Sequence, residues 1–214
     1  TGIHFTGMPK LLELVLSNGY DRRTGIQVFA PHNHKLDTYE DLLDVYYNIY
    51  LQELLEVSNR MNNLQMDTHR KICPTVWASL LKADCFKNGQ NQSHLGARYN
   101  GPINFESCGT INFINSLASI KKNVYDDKKY TLAEMEDAMW NNFGFKTAFE
   151  TGVFSPDRRE ATENAPKYEK IFNDCVNAPK YGNADPYVDS ILVDYEDRML
   201  PKMLELRSYT GKQY

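Results

Sequence analysis

With 214 residues, 42% of them hydrophobic and 24% charged, the chain holds enough apolar material for a core and does not read as a disordered segment. A net charge of −4 leaves no basic surplus for a nucleic-acid partner. No apolar run is long enough to cross a bilayer, and nothing at the N-terminus resembles a signal peptide, so no membrane partner is expected and a cytoplasmic setting is.

The chain opens Thr1-Gly2-Ile3-His4 without an initiator Met and reads as an internal piece of a longer polypeptide. Met8-Pro9-Lys10 starts a first helix, with Pro where its missing N–H does no harm. Met8, Leu11, Leu12 and Val15 form its apolar face, and Asn18-Gly19 stops it. Ile26-Gln27-Val28-Phe29 suits a short strand, and Pro31-His32-Asn33-His34 a loop. Asp37-Thr38, with Glu40 and Asp41, caps a long helix. Its apolar stripe takes in Tyr39, Leu43, Tyr46, Tyr47, Tyr50, Leu54 and Val57, widened by Leu42, Val45, Ile49 and Leu51, which implies burial on more than one side.

After Pro74, residues 76–81 form a short apolar element that fits either helix or strand. A polar, Gly- and Asn-rich loop over 87–96 leads into Arg98-Tyr99-Asn100-Gly101-Pro102-Ile103-Asn104-Phe105-Glu106-Ser107-Cys108-Gly109-Thr110-Ile111. That stretch reads as a loop running into a helix whose apolar positions are Phe113, Ile114, Leu117 and Ala118. Further on, Thr131-Leu132-Ala133-Glu134 is a capping box, Pro166 opens a helix that Ala178-Pro179 ends, and Asp185-Pro186 caps the last one. That last helix turns Val188, Ile191, Leu192, Tyr195, Met199 and Met203 to one face. The whole reads as mainly helical, without repeats or flexible linkers.

Few residues carry chemistry. Cys73, Cys85, Cys108 and Cys175 show no metal-finger or redox spacing and read as reduced, mostly buried thiols. His32 and His34 with Asp37 lack a third strong ligand, so no metal site is expected. His4, between Ile3 and Phe5, suits a hydrogen-bonded core histidine. Glu106 stands out more, because a carboxylate avoids burial unless paired and its flanks Ile103, Phe105 and Ile111 look buried.

Several segments resemble the glycyl radical enzymes of the pyruvate formate-lyase-like superfamily, in the same order over nearly the whole chain. They are Pro9-Lys10-Leu11-Leu12-Glu13-Leu14-Val15-Leu16-Ser17-Asn18-Gly19, Leu36-Asp37-Thr38-Tyr39-Glu40, Ala97-Arg98-Tyr99-Asn100, Ser116-Leu117-Ala118-Ser119-Ile120-Lys121-Lys122 and Ala178-Pro179-Lys180-Tyr181-Gly182-Asn183. Gly2-Ile3-His4-Phe5, the segments 26–33 and 104–110, and Asn141-Asn142-Phe143-Gly144-Phe145-Lys146 resemble the members that decarboxylate 4-hydroxyphenylacetate.

The resemblance implies a mainly α fragment of an α/β barrel, with helices surrounding part of a ten-stranded barrel. Residues 1–214 would be a single internal segment lacking both the Cys loop and the glycyl radical loop, since neither Gly-Cys-x-Glu nor an Arg-Val-x-Gly-like motif occurs in it. It implies that Glu106 is catalytic and that His4 and Glu106 contact the phenol end of a small aromatic acid, which is converted to p-cresol and CO2. The glycyl radical would lie outside the fragment, and the fragment itself would bind no cofactor and show no activity. Implied partners are the remainder of the catalytic subunit, a small iron–sulfur subunit and a SAM-dependent activating enzyme. Indoleacetate or phenylacetate decarboxylation, a lyase or dehydratase activity, and a non-catalytic helical interaction module stay open as alternatives.

Overall fold

A computed structural model describes residues 3–98, 104–152 and 159–208, with residue 211. The side chains at 3–5, 70, 93, 104 and 105 are not among the described ones. The described chain gathers into two compact units, one from Thr1–Asn33, Leu43–Gly109 and Tyr195–Tyr214, the other from His34–Leu42 and Thr110–Asp194.

In the first unit, strand β1 (Ile3–Gly7) runs directly into helix α1 (Met8–Leu16), whose Met8, Leu11, Leu12 and Val15 are buried as their spacing requires. Asn18 and Gly19 end α1 in left-handed conformations. At Gly19 a side chain would also strike the Phe29 carbonyl at 2.5 Å, so glycine is demanded twice over. Strands β2 (Tyr20–Asp21) and β3 (Ile26–Gln27) form a short antiparallel pair, the strand expected near Ile26 being only two residues long.

Helix α2 (Tyr39–Asp44), whose residues up to Leu42 belong to the second unit, opens with Thr38 and Asp41 bonded reciprocally as a capping box. It continues through a π-helical segment, Val45–Leu51, into α3 (Gln52–Lys71). The wider π turn advances the helix by one residue, and the buried stripe shifts with it. Tyr46, Tyr47, Tyr50, Leu51, Leu55 and Met66 are buried, whereas Val57, expected inside, is 40% exposed. A uniform 3.6-residue period could not anticipate that shift.

Two short helices follow, α4 (Val76–Leu80) and α5 (Ala83–Asn88), which settles the undecided apolar element as helix. Strand β4 (Asn104–Cys108) then pairs in parallel with β1, in the register Ile3–Asn104, His4–Phe105, Phe5–Glu106, Thr6–Ser107 and Gly7–Cys108. The expected loop is thus a strand at residues 104–108.

The second unit is built on α6 (Thr110–Ile120), which buries Phe113, Ile114, Leu117, Ala118 and Ile120. A second π-helical segment, Lys121–Asp126, follows. Its longer turn brings residues five apart together, so Lys121 reaches Asp126 at 2.8 Å and Lys122 reaches Asp127 at 2.7 Å. Helix α7 (Leu132–Trp140) carries the expected Thr131–Glu134 capping box, and α8 (Ala148–Thr151) is a single turn. Helix α9 (Ala165–Asn177) ends where Lys180 donates to the carbonyls of Cys175 and Ala178, at 2.8 and 2.6 Å, satisfying carbonyls at the helix end. Helix α10 (Pro186–Glu205) gives its first residues to this unit and those from Tyr195 onward to the first.

Candidate functional site

The strand pair β1–β4 is the part of the first unit where chemistry and geometry meet. Each strand passes into a helix within two residues of its last rung. Parallel strands of this βα kind expose ligand sites beyond their C-terminal ends, and their faces are normally covered on both sides.

One face of the pair is closed. Thr6 is 6% exposed, and its rung partner Ser107 accepts a hydrogen bond at 3.1 Å from the hydroxyl of Tyr195 on α10. Met199, one turn further along, lies 3.8 Å from the Ser107 hydroxyl. Behind them stands a tyrosine core. The Tyr46 hydroxyl donates to the Met8 carbonyl at 3.4 Å, Tyr46 and Tyr47 meet edge to face, and Tyr47 packs near Tyr195. Burial holds the Tyr46 phenol neutral, its pKa far above the ordinary value.

The other face is open. Side chains alternate along a strand, so Glu106, between Phe105 and Ser107, falls opposite to Ser107, together with Cys108. Contrary to the burial its apolar flanks suggest, Glu106 is exposed, as is Ile111 at 42%, and among the described residues Glu106 makes no hydrogen bond or ion pair. Lys10, at the start of α1, is not available to it. Although desolvation opposes the charge, hydrogen bonds to Glu13 and Asp21 raise the Lys10 pKa, and Asp21 lies 3.0 Å away. Gly109 closes the strand with φ of +75°, and a side chain there would meet the Pro9 ring at 3.0 Å. Only glycine takes both the conformation and the approach without strain.

His4 pairs with Phe105, one rung before the Phe5–Glu106 rung. The two predicted residues, 102 positions apart in sequence, are therefore brought to neighbouring rungs of one strand pair. Neighbouring rungs alternate between faces. The side chain of His4 lies outside the described residues.

Of the remaining candidates, His32 has structural partners. The Nε2 of His32 lies 3.0 Å from the Val15 carbonyl and must donate to it, since a carbonyl can only accept. The same ring stands edge-on to Tyr50 at 5.6 Å. Among the described residues no three His, Cys, Asp or Glu side chains gather as metal ligands, and no helix is long and apolar enough to cross a membrane. Cys85 is buried, Cys108 and Cys175 are half-buried and Cys73 is exposed, all as free thiols. Sequence reading missed the supporting roles of Thr6, Ser107 and Tyr195. The only signal was the inward period of the last helix, which places Tyr195 on the buried face.

The family model described as pyruvate formate lyase-like matches residues 1–214. The chain belongs to the pyruvate formate lyase-like family. Within that family it is 59% identical over 212 residues to the 4-hydroxyphenylacetate decarboxylase glycyl radical subunit of Clostridium scatologenes, covering 99% of this chain and 24% of the relative. Identity is 46% to the protein of the same name in Clostridioides difficile, over the full chain and 24% of the relative. It is 40% to the indoleacetate decarboxylase of Tractidigestivibacter scatoligenes, over 86% of the chain and 21% of the relative. Hydroxyproline dehydratase from Clostridioides difficile superposes with a TM-score of 0.75 at 26% identity, covering 98% of this chain and 24% of that one. The chain thus spans about a quarter of the length of these pyruvate formate lyase-like relatives. Its fold is a mainly helical part of the glycyl radical enzyme barrel.

Proposed function

We propose that this chain is part of a glycyl radical decarboxylase that converts 4-hydroxyphenylacetate to p-cresol and CO2, in a cytoplasmic and anaerobic setting. The observation that carries the proposal is Glu106, a carboxylate on the exposed face of a parallel strand pair with no partner among the described residues. A face of that kind is not left bare in a finished α/β fold. What completes it is the rest of the parent polypeptide and the substrate between them. The 59% identity to a 4-hydroxyphenylacetate decarboxylase subunit, against 40% to an indoleacetate decarboxylase, favours a phenol as the group that Glu106 meets.

The physical case rests on where the proton goes. A phenol is hard to oxidise while it keeps its proton, and a positive ring in a pocket of low dielectric is costly. Glu106 accepts the hydrogen bond of the hydroxyl in the bound state. It takes the proton as the aromatic acid passes an electron to the radical relay of the parent and loses CO2, and returns it to the same oxygen. The benzyl radical that is left gains a hydrogen atom from that relay, which takes up one proton, so the acid anion and one proton give p-cresol and CO2. A glycyl radical held by the parent outside these residues supplies the one-electron chemistry. No motif of this chain matches the radical glycine or its thiol partner, and Cys108 is assigned neither role.

His4 is proposed as a second contact to the same hydroxyl. Since its rung alternates with that of Glu106, the two reach one oxygen only if β1 departs from regular alternation at His4 or the hydroxyl sits at the strand edge. A small iron–sulfur subunit and a SAM-dependent activating enzyme are the proposed companions of the parent.

The test is anaerobic turnover of the activated full-length enzyme. Glu106→Gln keeps the shape and removes the proton acceptor, so kcat is expected to fall on the order of a hundredfold with KM little changed. Unchanged turnover would remove Glu106 from the chemistry. His4→Ala is expected to affect kcat and KM more evenly, and a silent His4→Ala would remove His4 while leaving Glu106 in place.

A further inference from the structure

Both paired strands finish at a glycine, Gly7 closing β1 and Gly109 following β4, and the two lack a side chain for different reasons. Gly109 has a left-handed φ and the Pro9 ring against it, so the local fold demands glycine. Gly7 has φ of −77° and ψ of 93°, outside the left-handed region and open to other residues. A Cβ at Gly7 would meet, among the described residues, only the Lys10 Cβ at 3.6 Å, which is ordinary contact. Gly7 is also the N-cap of α1, where it makes no side-chain bond. Ser or Thr fills that position at least as well, by bonding one of the first N–H groups of the helix. Neither the backbone, the packing nor the helix start among the described residues calls for glycine.

What Gly7 borders is the open face. Rung partners share a face, so Gly7 stands there with Cys108, two residues beyond the rung of Glu106. Gly7 is exposed and Cys108 half-buried. Two strand residues span about 6.6 Å, comparable with the reach from a phenol oxygen across the ring to a para side chain. Ligands of parallel βα units lie beyond the C-terminal ends of the strands. A ring whose hydroxyl meets Glu106 therefore extends over the Gly7–Cys108 rung and not back along β1.

We propose that Gly7 is a specificity-determining residue of the arylacetate pocket, its missing side chain leaving bare backbone on which the flat ring rests. The inference rests on the reading of Glu106 given above. A glycine in a strand that is not needed for its own conformation marks close approach by a ligand or another backbone. The ligand is favoured because the neighbouring rung on this face carries a carboxylate. Once covered, that carboxylate needs a donor, and a phenol brings one.

The test is Gly7→Ser and Gly7→Thr in the activated full-length enzyme, with Glu106→Gln beside them. Gly7→Ser is expected to raise KM for 4-hydroxyphenylacetate by about tenfold and Gly7→Thr by more, with kcat changed less. The thermal midpoint stays at or above that of the wild type, because both residues cap a helix as well as glycine does and leave the unfolded chain less free. Unchanged KM in both variants would overturn the inference, and a loss of turnover in Glu106→Gln alone would then leave the reading of Glu106 standing without it. A lowered midpoint in Gly7→Ser would also overturn it, since the space would then be filled by the parent's own chain. A silent Glu106→Gln would overturn both.

Discussion

On one face of the β1–β4 pair, Thr6 is 6% exposed and Ser107 is held at 3.1 Å by the Tyr195 hydroxyl; on the other, Glu106 is exposed with no described partner. The two faces are made by the same pair of five-residue strands, so backbone geometry does not distinguish them. What differs is where the polar groups find their bonds. The closed face spends its hydroxyls inside the fold and contributes stability. The open face leaves a carboxylate with no partner among the described residues, and we propose that it serves proton transfer in the parent enzyme. Mutations on the two faces are therefore expected to divide between rate and stability.

The largest effect is expected at Glu106. In the full-length enzyme Glu106→Gln is expected to lower kcat on the order of a hundredfold and to leave the thermal midpoint within error of the parent, since among the described residues Glu106 makes no bond. A Tm that falls with the rate would place Glu106 among the structural residues and erase the difference between the faces. Gly109→Ala comes next. It forces a left-handed φ and a contact with Pro9, for an expected loss of about 1–3 kcal/mol in a denaturant titration.

Ser107→Ala and Tyr195→Phe remove the same hydrogen bond from opposite ends. Each is expected to lower stability by about 1 kcal/mol, and the double variant by less than the sum. Additive losses would show that the 3.1 Å contact contributes nothing. The smallest effect serves as a control outside the strand pair. Burial, with nearby Asp41, Glu136 and Asp37, raises the Tyr125 pKa to about 12, and its hydroxyl donates to the Leu36 carbonyl. Between the unfolded value of about 10 and the folded one, the folded state keeps a proton that the unfolded state loses, so stability falls as pH rises through that window. Tyr125→Phe is expected to lack that part of the alkaline slope, and an unchanged slope would contradict it.

Much of the helical scaffold was legible in the residues. Thr38 with Asp41 and Thr131 with Glu134 mark helix starts by local bonding, and Pro9 and Pro166 by the fixed φ of proline in the first turn, none of which needs tertiary information. The π-helical segments were not legible. They preserve apolar composition and alter only the phase, so Val57 was expected inside and lies outside. Strand β4 was hidden for another reason. Five residues flanked by turn residues look like a loop until β1, about a hundred positions earlier, supplies the hydrogen bonds. At the site, Glu106 could be singled out as a carboxylate without a partner. That Ser107 faces the core and Glu106 does not depends on register, which one strand alone does not reveal.

The most direct measurement of Glu106 as a reader of the phenol is a ratio of rates. Activated full-length enzyme and its Glu106→Gln variant are each given 4-hydroxyphenylacetate and phenylacetate, and kcat/KM is measured for both. The wild type is expected to favour the hydroxylated acid strongly, and the variant to lose most of that preference while it still folds and binds. A preference that survives Glu106→Gln unchanged would contradict the account, because the hydroxyl would then be read by something other than this carboxylate.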